Sequence, residues 1–202
     1  MTSTILQQGH GASQGAGSLS ICVFCGAGRS NSPAIVDTAR ATGRLIGERG
    51  HRLVYGGGGS GLMGEVAWAA AETGAAIRGI IPKFLYEREL GISAPAQETH
   101  LTDSLNRRKE LMLHSADAFL ALPGGYGTLD EILEVISAAY LDVSAKPLVV
   151  VNVEGVWDHF LGLVATLQDF HLIAPREQPL FRAVDTAEDA LDLIETMIRT
   201  TP

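Results

Sequence analysis

The chain has 202 residues, 46% hydrophobic and 19% charged, which suits one globular domain with a substantial core and leaves little room for a second. A formal net charge of −8 argues against non-specific binding to nucleic acid or to an anionic membrane, since both require an excess of Lys and Arg. No apolar run approaches the length needed to span a bilayer.

The opening stretch, "MTSTILQQGHGASQGAGSLS", has no basic segment followed by a continuous apolar one, so it does not read as a signal peptide. Its Gly, Ser and Gln content predicts a disordered leader over 1–18, with one folded domain over 19–202 in a cytoplasmic protein. "SICVFCG" reads as a first strand. Cys22 and Cys25 match C-x-x-C, but positions three apart on a strand point to opposite faces, and no second pair completes a zinc site. They are expected to be small buried residues, and no metal is expected.

Ser32 before Pro33 starts a helix that stops at Gly50. "HRLVYGG" is a second strand, 61–73 a second helix closed by Gly74, and "AAIRGIIP" a third strand. From 83 to 101 the pattern is polar and irregular, as in a lid or binding loop. Asp103 then caps a helix to about Ser115, followed by the strand "DAFLALPGG", a helix over 128–141 and the strand "KPLVVVN". Helices near 156–169 and 186–200 complete the chain. Continuously hydrophobic strands alternating with helices predict an α/β fold, a single Rossmann-like doubly wound parallel sheet with helices on both faces. Ligands of such sheets sit beyond the carboxyl ends of the strands.

Glycine-rich turns collect at that edge. "YGGGGSGLMGE" contains G-x-G-x-x-G twice, and its Gly57, Gly58, Gly59, Ser60 and Gly61 form a candidate phosphate turn. A dinucleotide site also needs an acid at the end of the next strand, where "GIIPK" offers Lys83, so a mononucleotide fits better than NAD and no cofactor is expected. In "PGGYGTLDE", Gly124, Gly125 and Gly127 let backbone approach a ligand. Tyr126 is suited to stacking, and Thr128 to capping the helix or donating to an oxygen. Periodicity puts Leu129, Ile132, Val135, Ile136 and Tyr140 on an apolar stripe, with Asp130, Glu131 and Glu134 on the other side. Asp130 and Glu131 then occupy the first helical turn, where the dipole favours a carboxylate by roughly 0.3–1 kcal/mol. In the preceding helix Leu105, Met112 and Ala116 mark the buried line and Arg107 points to solvent. Arg108 and Lys109 flank that line, where a cation meets either a ligand anion or a structural carboxylate.

Taken together, "CVFCGAG", "GGGGSGLMG", "IPKFLYEREL", the Arg108-Lys109 pair with PGGxGTxxE over 123–131, and "KPLVVVNVEG" resemble the Lonely guy family of cytokinin-activating phosphoribohydrolases, formerly labelled lysine decarboxylases. The likeness covers nearly the whole chain after the leader. It implies hydrolysis of the N-glycosidic bond of N6-modified adenosine 5′-monophosphates, releasing free base and ribose 5-phosphate, with AMP as a related substrate. It also implies a homodimer, or a larger homo-oligomer, with the site near the subunit interface. The family's catalytic Arg and Glu fall on Arg108 and Glu131, and its other substrate-binding positions on Glu89, Lys109, Gly125, Tyr126, Gly127, Thr128, Leu129, Asp130 and Ser137. Two departures stand out: "SAAYLD", with Ala138, Tyr140 and Asp142, replaces the plant-like "TWAQLG", and Leu105 replaces the usual Met. Both are expected close to the base pocket or the interface. A pyridoxal-dependent decarboxylase would need a Schiff-base lysine, and only Lys83, Lys109 and Lys146 exist. A non-catalytic carrier of a nucleotide or pterin cofactor on the same fold would keep the phosphate turns without needing both Arg108 and Glu131.

Overall fold

The computed structural model of the protein describes residues 17–174, 176 and 178–200; apart from Gly17 and Ser18, the expected leader lies outside the described residues. Among the described residues, seven parallel strands form one sheet in the order β4-β3-β2-β1-β5-β6-β7. They are β1 (Ser20–Phe24), β2 (Arg52–Tyr55), β3 (Ile77–Pro82), β4 (Glu98–Thr102), β5 (Ala118–Ala121), β6 (Leu148–Val151) and β7 (Arg182–Val184). Helices α1 (Pro33–Glu48), α2 (Gly61–Glu72), α3 (Lys83–Arg88), α4 (Leu105–Ser115), α5 (Tyr126–Tyr140), α6 (Asp158–Asp169) and α7 (Ala187–Thr200) connect and cover them. None is long and apolar enough to cross a membrane.

The sheet has two strands more than its hydrophobic pattern predicts, and both are edge strands. β4 lies within and just beyond the stretch read as irregular; its sequence, ETHLT, is polar and mostly exposed, yet it pairs with β3 over five positions. β7 has three residues and pairs only with β6. An edge strand has one neighbour and needs no continuous apolar run, so periodicity passes over it. The short helix α3 occupies the start of the same stretch.

Alternate side chains of the central strands feed two cores. Ile21, Val23, Leu53, Tyr55 and Leu120 pack under α1, α2 and α7, while Cys22, Phe24, Val54, Phe119 and Leu148 pack under α4 and α5. Cys22 and Cys25 thus belong to opposite cores, both as free thiols. Burial raises the pKa of each and keeps it protonated. Ser32 caps α1 as expected, its hydroxyl accepting from the Ile35 amide at 3.3 Å.

Helices α1 and α2 approach so closely at Gly43 that a Cβ there would lie 2.1 Å from the Val66 carbonyl oxygen. Gly43→Ala should therefore destabilise the fold by about 1–3 kcal/mol, the cost of overpacking, despite alanine's better helix propensity. Chemical denaturation checks this; an unchanged midpoint would show that the helices can separate freely.

Candidate active site

Strand β1 lies between β2 and β5, and the chain leaves it in one direction for β2 to β4 and in the other for β5 to β7. The loops after β1 and β5 therefore diverge, opening a crevice at the carboxyl edge. Backbone bonds join the glycine-rich turns into its floor: the Gly26 amide donates to the Pro123 oxygen at 3.1 Å, and the Leu62 amide to the Gly26 oxygen at 3.0 Å. A cavity of about 580 Å³ opens above, with apolar walls from Ile35, Leu62, Met63 and Ile81 and with Arg108 and Glu131 exposed to it.

Helix α4 supplies Arg108. Its cap is Ser104 rather than Asp103; the Ser104 hydroxyl accepts from the Arg107 amide at 3.1 Å. Met112 and Ala116 are buried as expected, but Leu105 is exposed. The residue continuing the buried line one turn before Met112 is Arg108, because the start of α4 reaches the cavity rather than the sheet. Arg107 is solvated and pairs with Glu110. The Arg108 guanidinium passes over Gly56, where a Cβ would lie 2.3 Å from Nη2 and 2.8 Å from the Met63 sulfur, so only glycine leaves it room.

Helix α5 supplies Glu131, and here the helical pattern misleads. The buried residues of α5 are Thr128, Glu131, Ile132 and Val135, so Glu131 lies on the inner side, not with Asp130 and Glu134. Arg108 Nη2 meets Glu131 Oε1 at 3.2 Å, with side chains only 13% and 9% exposed. The Arg108 Nε has no hydrogen-bond partner among the described residues, which leaves a buried donor beside the cavity.

The helix also begins earlier than expected. Gly125 is the N-cap, Tyr126 opens α5, and Thr128 is buried inside the helix rather than capping it. Asp130 and Glu131 consequently fall in the second turn, beyond the range in which the dipole favours a carboxylate. Burial then dominates, raising the Glu131 pKa from 4.5 to about 7 against the opposing pull of Arg108, with Asp130 adding to the rise. Instead of being held ionised by the helix terminus, Glu131 titrates near neutrality. The first amides of α5 receive no side-chain cap, and Gly125 and Gly127 are exposed to open space at the cavity.

The other expected site residues divide into those at the cavity and those away from it. Gly124, Gly125, Gly127, Thr128 and Glu89 line it with the Arg108–Glu131 pair. Gly57 to Gly61 lie just beyond, with Gly56 as their contribution to the lining. Glu89 spans the two regions, accepting from the Gly59 amide at 3.0 Å, so a carboxylate of the chain itself occupies that turn. Tyr126 is 93% exposed and Ser137 is exposed; neither lines the cavity. Leu129 and Asp130 also lie outside the lining. Lys109 Nζ bonds Asp130 at 2.9 Å and Glu134 at 3.0 Å, and these contacts raise its pKa. The departures Tyr140 and Asp142 sit at the far end of α5, about 20 Å from its start, where both engage Arg176, and neither lines the cavity.

None of the three lysines lines the cavity: Lys83 pairs with Asp103, Lys109 is held as above, and Lys146 donates to the Leu113 carbonyl at 2.7 Å. The site as built has no amine for a Schiff base.

Comparison with known proteins agrees with the resemblance. Residues 63–194 match the family model described as "Possible lysine decarboxylase". The chain is 39% identical over 178 residues to the cytokinin riboside 5′-monophosphate phosphoribohydrolase LOG of Oryza sativa subsp. japonica, covering 88% of this chain and 73% of the relative. It is 38% identical over 175 residues to LOG3 of Arabidopsis thaliana, covering 87% and 81%. Among solved structures, the molybdenum cofactor binding protein of Rippkaea orientalis aligns with a TM-score of 0.67 at 20% identity, covering 91% of this chain and 99% of that one. The Moco carrier protein of Chlamydomonas reinhardtii aligns with the same TM-score and coverage at 21% identity. At that identity the two share the fold alone. The curated relatives' identity over most of both chains carries more: the protein belongs to the Lonely guy family of cytokinin riboside 5′-monophosphate phosphoribohydrolases.

Proposed function

We propose that the protein hydrolyses the N-glycosidic bond of N6-modified adenosine 5′-monophosphates, and of AMP, to free base and ribose 5-phosphate. The observation that carries this reading is the buried Arg108–Glu131 pair at the floor of a cavity bordered by uncapped α5 amides. Phosphate on those amides directs the ribose toward Glu131 and spends remote binding energy on orientation. As the C1′–N9 bond breaks, its electron pair leaves with the base and the sugar becomes oxocarbenium-like, a charge that a carboxylate stabilises. Glu131 takes a proton from the attacking water, whose oxygen bonds to C1′, and that proton becomes available to the departing base. A carboxyl group titrating near 7 is matched to this exchange at neutral pH. Arg108 sets the Glu131 carboxylate and limits its rise in pKa.

Glu89, half-buried in the lining, accepts hydrogen bonds and so fits sugar hydroxyls better than phosphate. Lys109 and Asp130 support α4 against α5 rather than touching substrate. The working unit is a homodimer in the cytoplasm. A panel of nucleoside 5′-monophosphates scored for free base tests the reading. Release from the N6-modified and unmodified adenine nucleotides supports it; binding without release from any of them would favour a carrier.

A further inference from the structure

We propose that Arg29 receives the substrate's 5′-phosphate and sets the preference for nucleotide over nucleoside, an inference that rests on the hydrolase reading above. Arg29 stands outside the Arg-Lys and PGGxGTxxE signature, in the loop between β1 and α1. Among the described residues, the acidic and basic side chains lining the cavity above the Arg108–Glu131 pair are Arg29, Glu89, Arg108 and Glu131. Arg108 already has its charge paired with Glu131 at 3.2 Å, although its Nε has no partner among the described residues, and Lys109, the next cation, lies outside the lining and is held by Asp130 and Glu134. Arg29 forms no ion pair or side-chain hydrogen bond with any described residue. By contrast, Arg40, Arg49, Arg78 and Arg107 each hold a carboxylate.

Charge favours a free cation here. A phosphate monoester carries about −1.5 to −2 at pH 7, the chain carries −8, and two carboxylates face the same cavity. Amide groups of a helix terminus supply only about half a charge. Placement fits as well. Arg29 follows Gly26 by three residues, and Gly26 is bonded to Pro123 at the entry to the Gly124–Thr128 turn. Arg29 and the exposed backbone of Gly125 and Gly127 therefore border one cavity, and Arg29 also lines the adjoining one beside Gly59 to Gly61, so a phosphate there is within the loop's reach for a charge-assisted fork as well as for the amides. An exposed arginine at the rim gives up little hydration on binding and can attract the anion from solution.

Calorimetry on the full chain tests this, with AMP, ribose 5-phosphate and adenosine as probes and with Glu131→Gln in the background to prevent turnover. Arg29→Ala is expected to weaken AMP and ribose 5-phosphate by about 10- to 100-fold, the scale of one charge-assisted hydrogen-bonding group. The AMP-to-adenosine affinity ratio falls by the same factor, and Arg29→Lys restores part of it. Affinity for AMP within twofold of the parent, or an equal loss for adenosine, would overturn the assignment. The underlying reading fails differently: if the parent chain releases no base while Arg29→Ala still loses AMP affinity, hydrolysis is wrong and the phosphate site stands.

Discussion

Glu131→Gln is expected to lower base release by about 10²- to 10⁴-fold, the range that a positioned general acid–base contributes. KM should change far less, because phosphate and ribose are held by other groups. The variant also tests the ionisation directly. Burial raises the Glu131 pKa to about 7 and the ionised form is the active one, so kcat/KM of the parent should rise with pH and level off above about 7. The substrate phosphate has its own ionisation near pH ~6. Any limb left in the residual rate of Glu131→Gln belongs to that phosphate, and the difference between the profiles belongs to Glu131.

Stability has a related signature. The folded protein opposes the ionised form, so this group's contribution is fully present below the ordinary value of 4.5 and is lost as pH rises through about 7. Melting temperatures of the parent should fall across that window relative to Glu131→Gln. A parallel profile in the two proteins would show that Glu131 ionises normally.

Arg108→Ala should be nearly as damaging, by a separable route. Arg108 is the main influence holding the Glu131 pKa down against burial. Without it the carboxyl group stays protonated to higher pH, and the ascending limb moves well above 7. The rate loss at pH 7 should exceed about 10²-fold and shrink toward alkaline pH. Removing one member of a buried pair costs about 3–5 kcal/mol when the other stays charged, and protonation of Glu131 reduces that cost. A loss of rate with the limb unmoved would instead mean that Arg108 acts on the substrate and not on Glu131.

The interior of this fold was legible because the central strands are continuous apolar runs bounded by glycine. Ser32-Pro33 and Gly74 likewise marked helix ends by local chemistry alone. The edge strands β4 and β7 were not legible, since each has a neighbour on one side only, the residues of β4 stay polar and β7 is only three residues long. In the candidate site, periodicity placed Arg108 at the edge of the buried line of α4 but put Glu131 on the wrong side of α5, and only the motif spacing singled out the two together. Helical pattern assumes that acids face water, and this acid is buried because a cavity, not the core, lies over it. The early start of α5 at Tyr126 was missed for a similar reason. Glycines carry no apolar signal, yet here Gly125 is the cap and Gly127 lies within the helix. Arg29 has no sequence signal at all; only the commitment of neighbouring charges to partners leaves it standing out.

The central claim is that this cavity breaks a glycosidic bond rather than storing a nucleotide. The most direct measurement is the mass balance after incubating the purified chain with isopentenyladenosine 5′-monophosphate, in parallel with Glu131→Gln. Equimolar free base and ribose 5-phosphate from the parent, with little from the variant, is the predicted result. Intact nucleotide recovered bound to the parent, or equal release by both proteins, would contradict it.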